Sequence, residues 1–285
     1  MIPSQFEYAA PASLNETLAL LAKNPDAKAL AGGHSLLPVM KLRLSSPSML
    51  VDLRNVAELR GVSANGGGWR IGAMTTHAQI AGNADLKRYQ ALIDATSSIG
   101  DAQVRNRGTI GGSLAHADPA ADLPAVVLAL DATINATGSK GARSISIEQF
   151  FTGMLATALE EGEIITSVDL PALAAGTGSA YAKFANPASG YAMVGVAARV
   201  TLSGGAAQNV RVALTGAGDH AMRLSGVESA LEGKPLTAES IAAACENAGA
   251  GLDLMGDIHA SAEYRAAMVG VYARRALAKA LERAG

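Results

Sequence analysis

Leu14, Leu18 and Leu21 recur at helical spacing behind Ser13, and Glu16 stands three residues after Ser13 in the pattern of a capping box. The first strong signal in the chain is therefore a helix over Ser13 to Ala22. The short apolar stretch from Ala27 to Ala31 reads as a strand that runs straight into Gly32-Gly33. A Leu36 to Leu44 stretch then leads to a second strand, Met49 to Leu53. From Leu59 to Ala73 the pattern is a hairpin with Gly66-Gly67-Gly68 as its turn and Trp69 to Ala73 as the returning strand. Thr76 opens a short helix and another spans Ala91 to Ile99. Asp118-Pro119 has the form of an N-cap followed by proline at the first helical position, opening an apolar helix through Leu130. Strands are expected at Thr133–Ala136, Ser144–Ile147 and Ile164–Leu170.

The small residues from Pro171 to Ser179 mark the best domain boundary. Beyond them, Ala180–Phe184, Val194–Leu202 and Val210–Thr215 read as strands of one antiparallel sheet, with Ser203-Gly204-Gly205 as a hairpin turn. Gly216-Ala217-Gly218 is read as a turn at the end of the last of these strands. Ser261 to Ala284 is a long closing helix, with Tyr264, Met268, Val271, Tyr272 and Leu277 expected on its apolar side. Strands and helices are interspersed without strict alternation, which makes the fold class α+β.

At 285 residues the chain is long enough for two or three packed units. A formal charge of −2, with 23 basic and 25 acidic residues spread along the sequence, supplies no basic stripe for nucleic acid and no polybasic patch for a membrane. The N-terminal stretch from Met1 to Glu7 lacks a basic segment followed by an apolar one, and no apolar run reaches the roughly 18 residues of a membrane span. A cytoplasmic protein is expected. Cys245 is alone, so the chain has no internal disulfide and no cysteine set for an iron–sulfur cluster. His34, His77, His116, His220 and His259 fall at no metal-binding spacing and are read as structural or site-lining.

Two glycine motifs carry the chemistry. Ala31-Gly32-Gly33-His34-Ser35 and Thr109-Ile110-Gly111-Gly112-Ser113 each offer a run of backbone N–H groups to an anion, and two such turns can grip both halves of a diphosphate. Neither has the G-x-G-x-x-G spacing of a Rossmann site, and neither contains the lysine of a P-loop. A long cofactor lying between two separated turns remains.

These motifs, with Leu36, Val51-Asp52-Leu53 and the segment Asp118 to Pro124, resemble the FAD-binding medium subunits of the molybdenum hydroxylases, the xanthine dehydrogenase and aerobic carbon monoxide dehydrogenase family. The resemblance covers essentially the whole chain. It implies a vanillyl-alcohol-oxidase-type (PCMH-type) FAD-binding fold in two subdomains, residues 1–55 and 56–176, followed by a C-terminal domain over 177–285. It implies that Ala31 to Leu36 and Thr109 to Ser113 hold the FAD diphosphate, chiefly through N–H groups, with hydroxyl bonds from Ser35, Thr109 and Ser113. Asp122 would take sugar or ribityl hydroxyls, and the Ile165 backbone would meet the flavin edge. Lys183 would stand near the isoalloxazine as a cation, and Tyr191 would cover one flavin face. Partner chains would carry the 2Fe–2S clusters and the molybdenum–pterin cofactor, in a dimer of heterotrimers.

Several of these residues, and the flanking arginines, also have a plainer reading. His34 can contribute its backbone alone, Asp118 can be a helix cap, Asp122 a first-turn charge, Lys183 a solvated strand residue, and Arg105 and Arg107 solvated neighbours of the second motif. Two rival functions also stand: a stand-alone flavin oxidoreductase of the same superfold, and a flavin-free scaffold subunit. The first would need its own acid/base groups, and no ionisable cluster is evident in the C-terminal portion of the sequence.

Overall fold

Three sheets of three to five strands succeed one another along the chain, with a two-stranded pair, Phe151–Gly153 and Ala156–Thr157, beside them, in a computed structural model that describes residues 2–285; Met1, the first residue of the stretch read above for a leader, lies outside the described residues. The first sheet is parallel, in the spatial order Glu7–Ala9, Met49–Asp52, Lys28–Leu30. Parallel neighbours need crossovers, and the helices Leu14–Lys23 and Leu36–Lys41 supply them. Ser13 caps the first by accepting from the Glu16 N–H, but the Glu16 carboxylate reaches back to the Ala12 N–H, so the capping box is displaced by one residue.

The second sheet is antiparallel, in the order Val62–Asn65, Gly68–Gly72, Ile164–Leu170, Thr133–Gly138, Gly141–Ser146. Helices Gln90–Ser98, Ile110–His116 and Leu123–Ala129 cover it, and the largest core lies there, built on Ile71, Leu92, Leu114, Val126, Ile134 and Phe150. Every residue of Leu123–Ala129 is buried, which explains its uninterrupted apolar sequence. That helix begins at Leu123, not after Asp118. Asp118 instead accepts the Ala120 N–H in a local turn, and Pro124 takes the place in the first helical turn expected of Pro119.

The third sheet runs Thr177–Ala185, Ala192–Ser203, Ala206–Thr215, Met222–Arg223, all antiparallel. Its second strand is buried from Ala192 to Thr201 because it is covered on both faces, by the closing helix Ala262–Ala284 and by Leu123–Ala129. The linker is shorter than expected: strand pairing resumes at Thr177, and Ser179 is a buried strand residue whose hydroxyl receives the Ala91 N–H. The closing helix buries Val269, Ala273, Ala276, Leu277 and Ala280, whereas Tyr264 is half-exposed. Small alanines let this helix lie close on the sheet, and they outweigh the larger residues that define a stripe by hydrophobicity alone.

An ionisable cluster does exist in the C-terminal portion, at the junction of the second and third sheets. Asp131, in the left-handed backbone region at φ +51, receives Arg199 at 2.5 Å, Arg211 at 3.0 Å and Arg223 at 3.3 Å. Arg223 continues to Glu228 at 2.5 Å and Glu148 at 3.2 Å. Each cation has a carboxylate partner, so the cluster is a joint between layers and supplies no free acid or base. Asp131→Asn keeps a residue tolerant of that backbone while removing the charge. It is expected to lower unfolding stability by about 2 kcal/mol in urea titrations, less than the ~3–5 kcal/mol of a fully buried pair because Asp131 is partly hydrated.

Candidate cofactor site

A cleft of about 1040 Å³ opens between the first and second sheets and extends to the loop preceding Ala192. All six residues from Ala31 to Leu36 line it. Among the described residues, the five N–H groups from Gly32 to Leu36 find no acceptor within the chain; hydrogen bonding resumes where Leu37 donates to the Gly33 carbonyl. Gly33 makes this possible with φ +81, which turns successive N–H groups toward one side. Gly32 has a different reason: a Cβ there would lie 2.3 Å from the Arg107 carbonyl oxygen, so only glycine lets the two motifs touch.

The second motif is not a turn. Thr109 caps the helix Ile110–His116, accepting the Gly112 N–H on its Oγ1, and the glycines occupy the first helical turn. Four of its five N–H groups are already used: Ile110 donates to Thr75, Gly111 to Ala73, Gly112 to the Thr109 hydroxyl and Ser113 to the Thr109 carbonyl, so that Thr109 alone of the motif keeps an N–H without an acceptor among the described residues. Gly111 is required because a Cβ would stand 2.5 Å from the Ala73 Cβ. The motif thus presents hydroxyls and close-packed backbone to the cleft while the first motif presents donors. Thr109, Gly111, Gly112 and Ser113 line the cleft; Ile110 does not, being fully buried in the core beneath.

Asp122, buried and at the cleft wall, accepts the Tyr181 hydroxyl at 2.6 Å and pairs with the Lys183 ammonium at 3.0 Å. Burial pushes its carboxyl up, against the opposing pull of Lys183 and Tyr181. Burial, followed by the Asp122 charge, pushes the Tyr181 hydroxyl well above the usual range. Room for that hydroxyl comes from Gly195, where a Cβ would lie 2.2 Å from it. Tyr181 was missed in the sequence, although it shares a strand face with Lys183 two residues on.

Lys183 does not line the cleft. Its ammonium is enclosed by Asp122 and by the carbonyls of Ser98 and Gly190, each at 3.0 Å. It is neither a solvated strand residue nor an uncompensated cation facing the cleft: it ties the Asn186–Tyr191 loop to the wall. That loop carries Tyr191, 46% exposed at the cleft mouth and so free to take a planar ligand against its ring. Ile165 also lines the cleft, at a bulge where the pairing with Thr133–Gly138 slips and interrupts the regular ladder. Arg105 is held by the carbonyls of Ile99 and Gly100 and is not free for a ligand.

His77, the first residue of the helix His77–Ala81, lines the cleft and is buried, and among the described residues its Nδ1 has no hydrogen-bond partner. Burial first, then the nearby His34, push it down from 6.5 to about 4. The unfolded chain therefore binds a proton at this position before the folded chain does, and stability falls as pH drops from 6.5 toward 4. At 1.36 kcal/mol per pH unit the loss for the flavin-free chain is about 3 kcal/mol, and His77→Phe is expected to remove most of that slope in urea titrations across the window.

The geometry agrees with what similar proteins are. Residues 4–173 match the family model described as the FAD binding domain in molybdopterin dehydrogenase, and residues 179–280 match the CO dehydrogenase flavoprotein C-terminal domain. The carbon monoxide dehydrogenase medium chain of Hydrogenophaga pseudoflava is 42% identical over 97% of this chain and 97% of its own length. The 6-hydroxypseudooxynicotine dehydrogenase complex subunit alpha of Paenarthrobacter nicotinovorans is 39% identical over 100% of this chain and 97% of its own. In a solved structure of carbon monoxide dehydrogenase from Hydrogenophaga pseudoflava lacking the Mo-pyranopterin moiety, one chain superposes with a TM-score of 0.95 at 42% identity, covering 99% of both chains. This chain belongs to the FAD-binding medium subunits of the molybdenum hydroxylase family, oxidoreductase subunits of multi-subunit dehydrogenases.

Proposed function

We propose that the chain is the flavin-carrying electron-transfer subunit of a heteromeric molybdenum hydroxylase, with FAD lying along the cleft. The observation that carries this reading is the row of N–H groups from Gly32 to Leu36, without acceptors among the described residues, on a cleft of about 1040 Å³. Those donors fit an anion, and glycine's absent side chain fits its close approach. In this reading the diphosphate rests on Gly32 to Leu36, with His34 contributing its N–H and the Ser35, Thr109 and Ser113 hydroxyls adding bonds. Asp122, already carrying Lys183 and Tyr181, has unused acceptor capacity for a cofactor hydroxyl. Tyr191 and Ile165 bound the isoalloxazine. Lys183 acts on it through Asp122 and the Tyr191 loop.

Bound FAD would supply the redox chemistry, accepting electrons and releasing them to an external acceptor. The chain binds and orients it and limits water at its faces. The electron source would be a small 2Fe–2S subunit, itself reduced by a large molybdenum subunit, in a dimer of heterotrimers in the cytoplasm. The three larger sheets support three units, 1–55, 56–176 and 177–285, the first two forming a PCMH-type FAD-binding fold of the vanillyl-alcohol-oxidase kind. Against a stand-alone flavin oxidoreductase, the charges of the Asp131 cluster are paired with one another; against a flavin-free scaffold, the donors of the first motif have no acceptor among the described residues.

An absorption spectrum of the purified chain, as isolated and after FAD addition and desalting, tests the reading. Flavin bands at close to one FAD per chain are expected; a colourless chain that retains none after reconstitution would refute it. Copurification from cells should then bring down iron- and molybdenum-containing partners, whereas full substrate turnover by the chain alone would establish the stand-alone enzyme.

A further inference from the structure

His77 is a buried polar group that no part of the proposed site yet uses, and it stands next to the anion cradle. Gly108 connects the two. An added Cβ at Gly108 would lie 2.7 Å from His77 Nε2, while an added Cβ at Gly32 would lie 2.9 Å from the Gly108 Cα. The imidazole, Gly108 and the first motif are thus in successive contact, and glycine at 108 is what lets the ring come up to the backbone. The His77 N–H is spent on the Gly108 carbonyl at 3.0 Å, which fixes the residue's place while leaving the ring without a hydrogen bond for Nδ1. Leaving a buried imidazole nitrogen unpaired costs free energy unless a ligand or solvent group meets it.

We infer that His77 is a further ligand of the cofactor's diphosphate, donating a ring N–H to a phosphate oxygen beside the amides of Gly32 to Leu36. This rests on the reading that FAD occupies the cleft. A neutral imidazole always carries one N–H donor, and rotation of the ring about its Cβ–Cγ bond chooses which nitrogen faces the ligand. Buried beside backbone donors, the ring adds a directional bond to the anion without placing a fixed cation in the cleft. His34, on the first motif, is exposed and supplies its backbone; His77, on a different element, supplies its side chain.

The test uses the full chain freed of flavin, with FAD, ADP and riboflavin as probes, and with histidine labelled with nitrogen-15. In the unmodified chain, ADP and FAD should each move the His77 ring nitrogen resonances, and riboflavin, which has no phosphate, should leave them in place. His77→Phe should weaken FAD and ADP by about 10–100-fold, and His77→Gln, which retains an N–H donor, should recover part of that loss. Gly108→Ala, which crowds the ring, should weaken ADP in the same direction. Unmoved His77 resonances on saturation with FAD and ADP would overturn the inference, as would affinities within twofold in a folded His77→Phe chain. An unmodified chain that binds none of the three probes would instead refute the flavin reading itself.

Discussion

Gly32→Val should all but abolish flavin retention. The Cβ of any side chain at this position would lie 2.3 Å from the Arg107 carbonyl oxygen and 2.9 Å from the Gly108 Cα, both backbone atoms that cannot swing aside. The two motifs must part, and the row of donors from Gly32 to Leu36 loses its alignment. Misplacing even two charge-assisted hydrogen bonds of about 1.5–3 kcal/mol each corresponds to more than about a 100-fold loss of affinity. The fold should survive, because the contact is at a cleft wall and the main core lies on the second sheet around Leu92, Leu114 and Phe150. Flavin content after desalting and FAD titration by fluorescence measure the effect, with circular dichroism confirming the fold. A folded Gly32→Val chain that retains a full complement of FAD would show that the contact with Arg107 does not shape the site.

Lys183→Met should be the most destabilising single change behind the cleft wall. The ammonium is 8% exposed and the Asp122 carboxylate 7%, and removing the cation leaves a buried carboxylate with only Tyr181 as a charge-free donor. Breaking a buried pair from one side costs about 3–5 kcal/mol, whereas removing both charges together is often close to neutral. Urea unfolding should therefore show a large loss for Lys183→Met and substantial recovery in the double variant Asp122→Asn with Lys183→Met. The same single change frees the Gly190 carbonyl, so the loop carrying Tyr191 should loosen as well. A loss below about 1 kcal/mol for Lys183→Met would mean the pair contributes no more than a surface salt bridge.

Much of the fold was legible because local signals and burial agree. Ser13, Thr76 and Ser261 cap the helices they were expected to open, the Gly66-Gly67 hairpin turns where the alternation reverses, and the antiparallel C-terminal sheet pairs the three expected strands. The strand Glu7–Ala9 was not legible, since three residues with two of them exposed carry no alternation, and its pairing with Met49–Asp52 is wholly tertiary. The candidate site was legible as a set of motifs and less so as geometry. Adjacent glycines at 111 and 112 suggested a turn, but the threonine before them is a helix cap whose hydroxyl takes the Gly112 N–H. The ion pair that encloses Lys183 was not legible because its partners, Asp122 and the carbonyls of Ser98 and Gly190, are distant or nonspecific in sequence. Tyr181 was hidden for the same reason: its significance depends on Asp122 and on the gap left by Gly195.

Amide hydrogen exchange across Ala31 to Leu36, with and without FAD, tests the central claim most directly. The N–H groups from Gly32 to Leu36 have no acceptor among the described residues, so they should exchange quickly in the flavin-free protein and become protected together on binding. The amides of Gly111 and Gly112, already bonded within the chain, should change far less. Stoichiometric FAD binding with the exchange of Gly32 to Leu36 unaltered would contradict the account, because the diphosphate would then lie somewhere else.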